Sequence, residues 1–424
     1  DGWPRRIAAR AAEGPAEEFL ARVHQQVAAR SKKDSGYGSE TGTRPPVDGL
    51  REAAEALLAA LGHLAKPMAR LEQILAARLD AEADALDTST RIRLESTCRS
   101  LRRRRLDLIA PWRAMLKSLF ADPPEAFVDW FSIDRADGRD IDTGMHRHWV
   151  DPTIPFVESV VKPAHGVLIT SATLRDGTGV PDADWAAAEA RTGAGHLAKA
   201  AVRAAVASPF DYGRATRVMI VNDVNRDDPD QIASAYRELF IAAGGGALGL
   251  FTAIWRLRRI YKRLAPALDE AGLMLFAQHV DPLDAATLVD IFRAERDACL
   301  LGTDALRDGV DVPGAALRLI VFDRVPWPRP DILHRARRDH FGGRAYDDMT
   351  TRLKLKQAVG RLVRRADDFG VFVLLDPATP SRLLGAFPDG VVVRRVGLAE
   401  AIGETRAFIG ARIGTELTTA PSSP

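Results

Sequence analysis

The sequence predicts an α/β fold, a parallel sheet with helices on both faces, preceded by an all-α region. Three observations lead there. From Gly166 to Leu375, short apolar runs alternate with amphipathic helical segments, the pattern of strands buried on both faces. Residues 48–82 and 84–119 instead carry long helical periodicity. And 424 residues exceed one ordinary core, so two or three domains are expected.

In chain order, residues 5–30 are Ala-rich with helical spacing and a charged face. Ser31 to Pro46 is polar and rich in Gly and Pro, a loop. In the next helix, Leu57, Leu58, Leu61 and Leu64 form an i, i+1, i+4, i+7 stripe. After Ala121-Asp-Pro-Pro124, Phe127, Trp130, Phe131 and Trp149 lie in shorter segments with polar turns. Candidate strands follow at 166–170, 217–221, 247–251, 273–276, 298–301, 317–322 and 371–375, with helices at 226–242, 252–267, 284–296 and 347–363.

Composition excludes several classes. Lys and Arg number 59 against 57 Asp and Glu, a net charge of +2, so nucleic-acid contact requires local basic surface. Two cysteines, Cys98 and Cys299, exclude a disulfide framework and offer no C-x-x-C pair for zinc or iron–sulfur; no metal site is expected. They suit a reducing interior. No apolar run approaches the 18 or so residues of a membrane span. Asp1-Gly-Trp-Pro-Arg-Arg lacks an initiator Met and a signal-peptide pattern, and reads as an end inside a longer polypeptide.

Chemistry concentrates in a few segments. On one helix, Gln357, Gly360, Arg361 and Arg364 would share a stripe at i, i+3, i+4 and i+7. Gly360 removes a side chain between two guanidinium groups, and two arginines reaching one phosphate chain would neutralise charge on a transferring γ-phosphoryl. For an isolated R-x-x-R a solvated basic face is the better reading; the Gln, the Gly and the following strand argue against it here. Thr303 follows the 298–301 strand at the carboxyl edge of the sheet, where ligands bind. It is a candidate for a nucleic-acid phosphate, and Asp311, after Gly309, for a ribose hydroxyl or an arginine; a Gly- and Asp-rich turn fits the segment too. Ser171, Ala172 and Thr173 end a candidate strand, suited to relaying a change at a nucleotide site or to capping the next helix.

Other features read more plainly. No G-x-x-x-x-G-K-[ST] phosphate loop occurs. Gly244-Gly-Gly246 lacks the Lys and precedes a strand, and Asp269-Glu-Ala-Gly272 reads as a helix end with Gly at C′. Arg102 to Arg105 suits a solvated face. His146 and His148, at i, i+2 without acidic partners, make a poor metal pair. Trp255 fits packing against the sheet better than stacking on a base. Arg329 and Arg335 flank Trp327, an aromatic–basic arrangement suited to a nucleic-acid strand.

Taken in order, Ser171-Ala-Thr-Leu174, Leu250-Phe-Thr252, Thr303-Asp304 with Gly309 and Asp311, and Gln357 to Arg364 resemble the late motifs of superfamily 2 helicases. The closer likeness is to the DinG/XPD-like branch, carried by Ser208-Pro-Phe-Asp-Tyr212 and Val325-Pro-Trp-Pro-Arg-Pro-Asp331, and it covers about residues 145–395. Two positions depart: Leu306-Arg-Asp-Gly309 stands where the branch has F-W-E-G, and Ala253 where a Ser follows Leu-Phe-Thr.

The resemblance implies a RecA-like sheet of the P-loop NTPase helicase type. Residues 1–144 would be an arch-like helical region with a flexible loop at 31–46. Residues 145–205 would be the tail of a first motor domain, 206–400 the second motor domain, and 401–424 a terminal helix with a disordered tail. It further implies ATP and Mg²⁺ bound jointly with an upstream domain, Gln357, Arg361 and Arg364 in catalysis, and Gly309, Asp311 and Gly360 at the nucleotide. Ser171, Ala172 and Thr173 would couple the domains, and Thr252, Thr303 and Arg329 would contact nucleic acid. The implied partners are single-stranded DNA and duplex junctions, with 5′→3′ translocation in repair or replication, by a cytoplasmic, nucleoid-associated monomer. An iron–sulfur cluster upstream and the preferred substrate stay open. Lacking a phosphate loop, the 424 residues alone are expected to be inactive. The competing reading is a non-catalytic nucleic-acid-binding or adaptor protein with a motor-derived fold. A small-molecule α/β enzyme leaves the ordered motifs unexplained.

Overall fold

Apolar runs without polar alternation need cover on both faces, and the sheet supplies it. The computed structural model describes residues 12–30, 38–122, 124–136, 138–303, 306 and 311–419. It divides into two units, Asp1–Pro152 with Arg329–His340, and Thr153–Pro328 with Phe341–Pro424.

In the first unit, α1 (Pro15–Arg30), α2 (Leu50–Ala81), α3 (Thr88–Arg103) and α4 (Ala110–Lys117) give the expected helical region. The region is not all-α, however: β1 (Ser39–Gly42), β2 (Phe127–Ala136) and β3 (Arg139–Trp149) form an antiparallel sheet in the order β1-β2-β3. Phe131 and Ile133 of β2 join Phe19, Val23 and Leu50 in one core. Leu57, Leu58 and Leu61 pack against it, whereas Leu64, expected on the same stripe, is 52% exposed. Within the basic run, Arg102 and Arg105 clamp the buried Glu72 at 2.6 and 2.9 Å. His146 and His148 both lie on the Trp130 ring, 5.1 Å between centroids.

In the second unit, β4 (Thr216–Val221), β5 (Ala247–Leu250), β6 (Leu275–Ala277), β7 (Cys299–Gly302), β8 (Leu319–Phe322), β9 (Gly370–Leu374) and β10 (Val393–Val396) form one sheet. Its order is β10-β4-β9-β8-β5-β7-β6, and every neighbouring pair is parallel. Along β4, Met219 and Val221 face one apolar cluster and Val218 and Ile220 the other. The first cluster is covered by α6 (Pro229–Ala243), α7 (Ile254–Glu270) and α10 (Leu398–Thr419), through Ile232, Leu257, Leu264 and Ile409. The second is covered by α8 (Ala285–Ala294) and α9 (Arg344–Val359), through Leu288, Phe292, Leu355 and Val359. Burial pushes the Cys299 thiol on β7 up to about 12.

The sequence-derived strands are in place with two differences. β10 was not anticipated, its exposed Arg394 and Arg395 hiding a four-residue edge strand. Residues 166–170, expected as a strand, form none; no described strand pairs with them, and Leu168 is 88% exposed. An apolar run without a hydrogen-bonding neighbour has no ladder to join.

Gly244-Gly-Gly246, which is no phosphate loop, has a structural task. All three glycines have positive φ (65°, 83° and 57°). A Cβ on Gly245 would lie 2.0 Å from the Asp297 carbonyl, and one on Gly246 2.5 Å from the Arg318 guanidinium. The turn wraps Arg318, 1% exposed, which donates to the carbonyls of Ala243, Arg296 and Ala315 and to the Asp297 carboxylate. Gly246→Ala combines left-handed strain with a clash, so urea unfolding should register a loss of about 1–3 kcal/mol. Gly272, as anticipated, ends α7 with φ 71°, its N–H on the Asp269 carbonyl.

Candidate functional site

A parallel sheet gathers all its strand ends of one kind on one edge, and the candidate residues sort between its two edges. At the carboxyl edge, Thr252 follows β5, Gln278 follows β6, Thr303 follows β7 and Asp323 follows β8. Both the N–H and the hydroxyl of Thr303 donate to Gln278 Oε1, at 3.1 and 3.0 Å. Gln278 is anchored in turn by its own N–H on the Leu301 carbonyl. Thr303 is therefore a held hydroxyl, and its holder lies 25 residues away with no motif around it.

Thr252 is exposed, and its N–H donates to Asp323 Oδ1 at 3.2 Å. Asp323 is fully buried and takes Arg256 Nε at 2.5 Å on its other oxygen. Burial pushes the Asp323 carboxyl up, against the opposing pull of Arg256. Arg256 also donates to the Arg226 carbonyl at 2.9 Å. Trp255, expected to pack on the sheet, is 50% exposed instead, because the buried side of α7 is filled by Leu257, Ile260 and Leu264.

The basic motif lies at the opposite edge, before β9. The expected single helical stripe is corrected here. α9 ends at Val359 with Gly360 as its cap, and the chain tightens, Arg361 N–H on the Ala358 carbonyl and Leu362 N–H on that of Val359. Two forces end the helix. Leu362 and Val363 plunge into the core, and the Asp368 carboxylate accepts the N–H groups of Arg364 and Arg365, each at 2.8 Å. Only Gln357 remains on the helix; Arg361 and Arg364 are on the turn beyond it.

That turn brings two candidates together. The Arg364 guanidinium pairs with the Asp311 carboxylate, so of the roles foreseen for Asp311 the structure realises the holding of an arginine. Burial lowers the Arg364 pKa, which Asp368 opposes. Asp368 also accepts from Gly314 N–H, and Arg293 donates to the Asp311 carbonyl. Gly309 and the Arg307-Asp308 departure lie outside the described residues.

Ser171 and Thr173 form a local turn, with the Thr173 N–H and hydroxyl both 3.1 Å from Ser171 Oγ and Ala172 exposed between them. They cap no helix, since the next, α5 (Pro181–Thr192), starts later. The two residues after Leu174 are tied to α9: the Asp176 carboxylate holds Arg352 at 2.8 and 2.5 Å, both buried, and Lys356 donates to the Arg175 carbonyl at 2.9 Å. No local signal marks that pairing across 176 residues. Arg329 is exposed and falls in the first unit, so the structure groups it with the helical region rather than with Thr252 and Thr303.

The chain is similar to known proteins over part of its length. Residues 236–387 match the family described as helicase C-terminal domain. The chain is 34% identical over 194 residues to the ATP-dependent helicase DinG of Mycobacterium tuberculosis, covering 43% of this chain and 28% of that protein. It is 26% identical over 275 residues to the 3'-5' exonuclease DinG of Bacillus subtilis, covering 62% of this chain and 29% of that one. A solved structure of Xpd4 from S. tokodaii covers 92% of this chain and 68% of its own at 12% identity, with a TM-score of 0.47. The chain spans under a third of the length of these two curated relatives. No helix among the described residues is long and apolar enough to cross a membrane. The seven-stranded parallel sheet is of the RecA-like helicase type, and helicase and ATPase activity belong to the family. Residues 236–387 are a helicase C-terminal domain of the DinG/XPD-like branch of superfamily 2.

Proposed function

We propose that this chain is the C-terminal portion of an ATP-dependent DNA helicase, in which the two edges of one sheet serve two ligands. The carrying observation is the sorting itself: a pair of arginines and Asp311 at the amino edge, and held hydroxyl and amide groups at the carboxyl edge. The amino edge fits a nucleotide shared with an upstream domain. Arg361 and Arg364 extend from a turn rather than a helix face, and Asp311 orients the Arg364 fork, an arrangement suited to charge on a triphosphate. Arg361 and Arg364 would neutralise charge on the γ-phosphoryl of ATP, whose Mg²⁺ would be held by an upstream domain. Gln357 and Gly360 border the same turn, and Ser171 to Thr173 would relay a change there through the nearby Asp176, which holds Arg352 of α9.

At the carboxyl edge Thr252 offers its hydroxyl to a phosphate backbone, and Thr303 does so when its proton turns from Gln278 Oε1; Arg329, in the first unit, is a nucleic-acid contact of its own. The 424 residues alone bind single-stranded DNA and do not turn over ATP. The setting would be the cytoplasmic nucleoid, and the substrate single strands next to duplex junctions.

The test is fluorescence anisotropy of the chain with labelled single strands across a salt series. The expected affinity falls linearly in log–log form, by about 0.7 per phosphate neutralised, with little difference between base compositions. Binding indifferent to salt, or none at low salt, would remove this reading.

A further inference from the structure

The solvent side of α7 carries a stripe the proposed function does not use. Trp255, Arg258, Arg259 and Lys262 recur at i, i+3, i+4 and i+7, so they share one side of the helix, and all four are exposed. The opposite side, Leu257, Ile260, Leu264 and Leu268, is buried on the sheet. Arg263, off the stripe, is taken up by Asp230 at 2.5 Å.

Trp255 is a mounted ring rather than a stray one. The Arg256 guanidinium lies 5.6 Å from its centroid and is itself pinned to Asp323 and to the Arg226 carbonyl. A buried cation against an indole holds the ring from the protein side, while half of its surface faces solvent. The stripe begins three residues after Thr252 and runs roughly 10 Å to Lys262, at the helical rise. Beside it stands His279, the one non-glycine residue with positive φ (66°) among those described, its carbonyl taken by Arg258 Nε at 3.0 Å. Such strain persists where surrounding contacts impose it, and it clusters at binding sites.

We propose that this stripe is a track for single-stranded nucleic acid: a nucleobase stacks on Trp255, and Arg258, Arg259 and Lys262 follow the phosphates along α7. The inference rests on the carboxyl edge being the nucleic-acid side, and adds a stacking platform that phosphate contacts alone do not require. Base–aromatic stacking tolerates any sequence, because every base has a π-face.

The experiment compares labelled oligothymidylate with an abasic strand of equal length, which keeps the phosphates and lacks bases. The intact chain should prefer the thymidylate by roughly 5- to 150-fold, the range for one stacked base. Trp255→Ala should bind both strands alike, and Trp255→Phe should keep most of the preference. Lys262→Ala should weaken both strands equally and reduce the salt slope by about 0.7. A Trp255→Ala chain that still prefers thymidylate as the wild type does overturns the stacking platform while leaving the helicase reading intact. A wild-type chain that binds neither strand removes the helicase reading and this inference together.

Discussion

Arg361→Ala in the full-length protein is expected to lower DNA-stimulated ATP hydrolysis by about 10³- to 10⁵-fold, the range for losing an arginine finger, without loss of single-strand binding. That drop corresponds to about 4–7 kcal/mol of transition-state stabilisation, far more than a surface charge contributes. The expectation follows from where the turn puts the residue. Arg361 leaves α9 at the Gly360 cap, at the opposite sheet edge from Thr252 and Thr303. A change there should reach turnover and spare the strand. Arg364→Lys should be nearly as damaging as Arg364→Ala, because an ammonium cannot pair with Asp311 and also present a second, fixed N–H edge to phosphate. Steady-state ATPase and anisotropy on the same preparations separate the two effects. Hydrolysis undiminished in Arg361→Ala ends the finger assignment; a parallel loss of strand binding places Arg361 on the wrong edge.

The range of each interaction decides whether the sequence reveals it. Strand positions were legible because burial on both faces writes an apolar run into adjacent residues, as in Arg217 to Val221. Motif order was legible because each motif is local. The course of the basic motif was not, since helical periodicity continues through Arg364 on paper. Only Asp368, four residues beyond Arg364, and the burial of Leu362 and Val363 break it. Trp255 was misplaced for a related reason: a Trp within a run of arginines has no local cue to its side, and the Leu257, Ile260, Leu264 and Leu268 stripe decides it. The partners of Thr303 and Asp176 are long-range pairings, invisible without the fold. The hairpin of β2 and β3 was hidden because polar and charged residues such as Asp129 and Arg147, facing each other 2.6–2.7 Å apart, interrupt the short apolar alternation of Phe131 and Ile133.

The second large effect lies behind the nucleic-acid edge. Asp323 and Arg256 form a buried pair, and removing one partner of such a pair strands the other's charge, a loss of about 3–5 kcal/mol. Arg256→Ala should therefore lower the unfolding free energy by that amount, while Arg256→Met with Asp323→Leu should cost much less, since replacing both charges leaves none stranded. The pH dependence has a definite sign. Burial raises the folded-state pKa of Asp323, and a carboxyl so raised is most favourable to folding below its unfolded value of about 3.9. That contribution is lost as pH climbs through the folded pKa. Without Arg256 the folded pKa rises further, so the deficit of Arg256→Ala should be larger at about pH 8 than at about pH 5. Urea titrations at the two pH values decide it, and a deficit under about 1 kcal/mol, or one independent of pH, refutes the buried ion pair. The same substitution should reach the ligand side. Asp323 holds the Thr252 N–H and Arg256 backs the Trp255 ring, so single-strand affinity should fall in the part of the population that stays folded. The double variant should regain stability without regaining that affinity, because apolar side chains neither seat Thr252 nor back the ring.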